Sequence, residues 1–195
     1  PHDRDVIGRM LLVLEEAMKE QEGDLFRFRL QELLSGLERR HRVSFVFPPG
    51  MDTEKETWAI RMGTRAAMRQ RVEVARRLTP LGLAVWGPAE WAKTGIEGLD
   101  WRGEASWDAD LPKVLNASAV NVNVSKIQFD TGVGPRIFEV LACGGFLLSN
   151  RIPAIADLFE DGKDLVFYDS LDDLQAKARH WLARPEARAE IGARA

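Results

Sequence analysis

The residues best suited to chemistry lie in one stretch, QFDTGVGPRIFEVLACGG, at positions 128–145. Gly132 and Gly134 permit a tight turn and a close approach of backbone to a ligand, and Pro135 suits the first position of a helix. A helix starting there would aim its free N–H groups and the positive end of its dipole out of the turn, with Arg136 beside them. That arrangement fits a diphosphate. The same pattern also describes a plain turn into a helix, so the loop alone leaves both readings open.

Glu139 sharpens the question. IFEVLACGGFLL, positions 137–148, is apolar except for this carboxylate, and a helix apolar all round is expected to be buried. An ionised carboxylate there costs on the order of several kcal/mol unless it is paired or hydrogen-bonded. One partner is Arg136, three residues earlier; another is a pair of vicinal hydroxyls such as those of a ribose. In AVNVNVS, positions 119–125, Val120, Val122 and Val124 share one strand face and Asn121 and Asn123 the other. Asn121 reads as part of a wet face. Asn123, nearer the carboxyl end, is the candidate for a ligand contact.

Other reactive side chains offer less. His2, His41 and His180 fall in peripheral helical stretches and read as structural or solvated. Cys143 reads as a small buried hydrophobe. Trp86, Trp91, Trp101 and Trp107 cluster within 86–107 and are expected to serve packing, with Trp86 or Trp91 able to border a pocket.

The elements that must position these residues follow from periodicity. Helical spacing over 1–42, through Phe26, Leu30, Leu33, Leu34 and Leu37, gives way to VSFVFPPG at 43–50, which reads as a strand ending in a breaker. From there helices and strands alternate: a helix over 64–78, strands at 83–87 and 99–103, a helix over 109–116, and the 119–125 strand. The glycine loop, the helix from Pro135, strands at 145–150 and 164–169, and a helix carrying Leu171, Leu174, Ala178 and Trp181 complete the series. Such alternation predicts an α/β fold with a parallel sheet covered by helices on both faces, whose ligands bind beyond the carboxyl ends of the strands. The expected division is a helical segment, 1–42, followed by the α/β domain, 43–195.

DLPKVLNASAVNVNVS (110–125), GVGPRIFEVLACGGFLLS (132–149) and the stretch 155–191 together resemble the CgeB-like glycosyltransferases. The resemblance covers roughly residues 60–195 and is most specific in RIFEVLACGGFLLS. It implies a Rossmann-like donor domain, one half of a GT-B fold. It further implies a retaining, hexosyl-type transfer from a nucleoside diphosphate sugar, with no metal needed for binding. An acceptor domain, missing here or supplied by a partner, would face it across a cleft. By position Glu139 corresponds to the second glutamate of the retaining GT-B pair, which holds the ribose hydroxyls. The first falls at Thr131, with Asp130 as its possible replacement. Arg136 and Glu139 are the residues implied in catalysis. Gly132, Gly134, Arg136, Glu139, Asn123, Thr131 and Gly87 are implied in donor binding, with Gly50 and the 103–104 turn bordering the base and phosphates by topology.

Composition limits the alternatives. The formal charge of −3, from 27 basic and 30 acidic residues spread along the chain, argues against a nucleic-acid partner. One cysteine excludes an internal disulfide and a cysteine metal cluster and fits a reducing compartment, so a cytoplasmic location is expected. No apolar run approaches the roughly 18–20 residues of a membrane span. No cofactor is expected beyond the donor substrate. The opening at Pro1 and the helical ending ARAEIGARA read as cut ends of a longer polypeptide. Three functions stay open: an active transferase, a non-catalytic nucleotide- or sugar-nucleotide-binding module, and another GT-B activity such as epimerisation.

Overall fold

The protein is described by a computed structural model. It covers residues 12–13, 16–17, 19–21, 30–42, 52–125 and 132–194, with backbone alone for 30, 31, 34 and 52–62. The strand expected at 43–50, together with His2, Phe26, Gly50, Asp130 and Thr131, lies outside these residues.

The chain divides into two compact units, residues 1–70 with 126–128, and 71–125 with 129–195. In the first, helix α1 (Leu30–His41) buries Leu37. Its last turn binds Glu16, whose carboxylate oxygens lie 2.7 Å from Arg40 Nη1 and 2.7 Å from His41 Nε2. Helix α2 (Asp52–Leu78) starts twelve residues before the expected 64. Gly63 is a buried residue inside it.

The second unit is mixed α/β, with two small parallel sheets flanked by helices, compatible with a Rossmann-like half of a GT-B fold. Strand β1 (Ala84–Val85) pairs with β2 (Asp100–Trp101). Strands β3 (Asn121–Asn123), β4 (Leu147–Asn150) and β5 (Val166–Tyr168) form the other sheet in that order. Every residue of β4 and β5 is buried, as strands covered on both faces must be. Helices α3 (Leu111–Ala117), α4 (Pro135–Ala142), α5 (Pro153–Ala156), α6 (Leu171–Leu182) and α7 (Pro185–Arg194) complete the unit. Helix α4 packs on β3 and β4, and α6 on β5.

Asn121 departs from the expected wet face. It is 7% exposed, and its amide donates to the Leu115 and Phe146 carbonyls, because α3 and the turn before β4 cover that side of the strand. The short helix α5 goes unannounced in the sequence, where four residues carry too little periodicity.

Candidate functional site

Helix α4 sets the geometry. It opens at Pro135 after Gly134, and no side chain caps it, so first-turn N–H groups and the positive dipole end face outward. It closes in a Schellman arrangement: Gly144, at φ 67°, donates to the Leu141 carbonyl and Gly145 to that of Val140. Ile137 and Val140 are fully buried, and Leu141 nearly so. The helix is nevertheless not buried all round, as its composition led us to expect: Phe138 is 50% exposed on the open side. Burying one stripe suffices to dock a helix on a sheet, and the other side carries Arg136 and Glu139.

Glu139 is half-buried with two partners. Oε1 accepts a hydrogen bond from Trp107 Nε1 at 3.0 Å. Oε2 is buried and lies 3.1 Å from Arg136 Nη1, an ion pair without the alignment of a hydrogen bond. Of the expected partners Arg136 is present, and a second donor arrives from a loop 32 residues away. A carboxylate has about four acceptor positions, so Glu139 keeps capacity for further donors. The Arg136 guanidinium, with five N–H groups, retains others for an anion.

Gly134 has φ −72° and ψ 150°, accessible to any residue, and nothing among the described residues lies within 4 Å of where its Cβ would be. The fold itself does not demand glycine there. Gly132 and Val133 precede it in the loop, half-buried; Thr131 is outside the described residues.

The glycosyl transferase-like family model matches residues 64–195. The chain belongs to this family. No curated protein and no solved structure matches it. As a member of a transferase family, the chain is expected to act with a sugar donor and an acceptor. Within this glycosyl transferase-like domain, Asn123 is buried among the strand ends. Its amide donates to Ser125 Oγ and Ser149 Oγ, both at 2.9 Å, while Tyr168 Oη donates to its carbonyl. Burial and the loss of solvation push the Tyr168 phenol well above its ordinary range, so it stays a neutral donor. Asn123 thus ties strands together beneath the site, with both amide hydrogens occupied.

Gly87 is likewise engaged locally. Its N–H donates to Gly103, its carbonyl accepts from Trp101 Nε1, and a Cβ there would meet Trp91 Nε1 at 2.8 Å. A cavity of about 510 Å³ between β1 and β3 is lined mostly by aliphatic side chains with Trp86, Arg102 and Lys113; neither Arg136 nor Glu139 reaches it.

Trp107 is the residue that sequence reasoning missed. Assigned to packing, it is instead 73% exposed. The available signal was its setting: an isolated aromatic in the polar run GEASWDAD. Among the described residues no cluster of His, Cys, Asp and Glu could hold a metal ion, and no helix is long and apolar enough to cross a membrane.

Proposed function

We propose that this chain is the donor-binding half of a two-domain GT-B glycosyltransferase of the CgeB-like kind, preceded by a helical segment over 1–42. It would take a nucleoside diphosphate sugar and transfer the sugar, with retention, to an acceptor held by a second domain. The observation that most supports this reading is Glu139: a carboxylate on the open side of α4, partly buried, with acceptor positions to spare. Two vicinal hydroxyls of a ribose match that need.

The remaining roles follow from charge. As the glycosidic bond breaks, negative charge grows on the departing diphosphate. Donors already fixed in place stabilise it without reorganisation. The uncapped N-terminus of α4 at Gly134 and the Arg136 guanidinium are such donors, with Gly132 allowing the phosphates close. Thr131 and Gly87 would border the donor, and Asn123 would support the strand ends from below.

A second reading, a module that binds nucleotide without turnover, draws on Thr131, which stands where the resemblance puts the first glutamate. Calorimetric titration of UDP, GDP and ADP into the chain and into Glu139→Ala tests the donor site. Binding of one nucleotide by the parent and its loss in the folded variant is expected; equal binding by both would remove Glu139 from the site. Release of nucleoside diphosphate from the matching sugar donor, with or without acceptor, then separates enzyme from module.

A further inference from the structure

Trp107 combines three features that packing does not explain. The residue is 73% exposed, which forgoes the large stabilisation an indole gains on burial. It projects from a turn that is held closed: the Asp110 carboxylate accepts from the N–H and hydroxyl of Ser106 at 3.1 and 2.8 Å, and Leu111 N–H donates to the Ser106 carbonyl. And its single N–H donor is spent on Glu139 Oε1 at 3.0 Å.

We infer that Trp107 is a gate on the nucleoside subsite: with Oε2 buried, two ribose hydroxyls need both acceptor positions of Oε1, one of which the indole N–H holds in the free protein, and nucleotide binding displaces the ring from Oε1 and lays its open face on the nucleoside. This rests on the donor-site reading of Glu139. The exchange is balanced, because one N–H donor leaves the carboxylate as a sugar hydroxyl replaces it. The pinned turn confines the movement to the side-chain torsions of Trp107, whose ring is free to rotate into solvent. Once off the carboxylate, the exposed face suits a base, and stacking is tolerant of base identity since every base has a π-face. Trp107 is thus a positioning residue acting through Glu139 as well as a contact to the nucleoside.

Two substitutions separate the two roles with opposite signs. Trp107→Phe keeps a ring but removes the competing N–H, and is expected to bind nucleoside diphosphate up to about tenfold more tightly. Trp107→Ala removes the competing N–H and the stacking face together, and is expected to bind about tenfold more weakly than Trp107→Phe. Titration of UDP, GDP and ADP into the full chain and both variants reads these shifts, and the nucleotide-induced change in tryptophan emission should be lost in Trp107→Phe. A Trp107→Phe that binds no more tightly than the parent, or a Trp107→Ala that binds as tightly as Trp107→Phe, would overturn the gate while leaving the donor site standing. A folded parent that binds none of the three would overturn the donor-site reading and the gate with it.

Discussion

Asn123 donates to the Ser149 hydroxyl at 2.9 Å, and the two residues are register partners on the neighbouring parallel strands β3 and β4. The bond lies at the end of β3, the strand that precedes α4, and it belongs to a buried polar group that includes Ser125, Asn150 and Tyr168. Removing the Asn123 amide deprives the Ser125 and Ser149 hydroxyls of their buried donor. Asn123→Ala should therefore cost about 1–3 kcal/mol of stability. Chemical denaturation checks this, and an unchanged midpoint would show that the network is dispensable.

Close approach of backbones fixes the last helix. A Cβ on Gly192 of α7 would lie 2.3 Å from the Gly144 carbonyl oxygen, which belongs to the turn closing α4. Backbone cannot yield as a flexible side chain does. Gly192→Ala should destabilise the protein by about 1–3 kcal/mol, measured by thermal or denaturant unfolding; parent-like stability would mean that α7 can shift freely.

Gly134 makes the opposite prediction. Its backbone is ordinary and the space beside it open, so alanine should leave stability within about 0.5 kcal/mol of the parent. If the diphosphate packs against this residue, the same substitution should weaken nucleotide binding by about tenfold or more. Measuring both quantities on one preparation is decisive, since undiminished binding would move the phosphates elsewhere.

The turn carrying Trp107 should respond to acid. The N–H of Ser106, and then its hydroxyl, hold the Asp110 carboxyl below the usual aspartate range. A folded value lowered in this way means that the turn's stabilisation is complete above about pH 4, the unfolded aspartate range, and is lost as pH falls through the lower folded value. An NMR titration of Asp110 should find a depressed midpoint that rises in Ser106→Ala. An ordinary midpoint in the parent protein would contradict the closed turn.

Much of this was legible from the residues. The helix starting at Pro135 is announced by a residue type that fixes φ, so local chemistry determines where it begins. The alternation of strands and helices over 83–182 gives the α/β class, though the strands are shorter than their apolar runs and fall into two sheets. Asn121 was misread because alternation alone does not tell a wet face from one covered by a helix. The role of Trp107 was hidden for a different reason: its contact spans 32 residues, and no local pattern encodes a partner that only the tertiary fold supplies.

The central claim is that Glu139 holds the ribose of a donor. It is tested most directly by comparing the binding of a nucleoside diphosphate and its 2′-deoxy counterpart in the parent and in Glu139→Gln. The parent should discriminate by about tenfold to a hundredfold, the worth of a hydrogen bond to a charged group. Glu139→Gln should lose most of that discrimination while staying folded. If the parent binds both nucleotides equally, or the variant discriminates as the parent does, Glu139 does not hold the ribose.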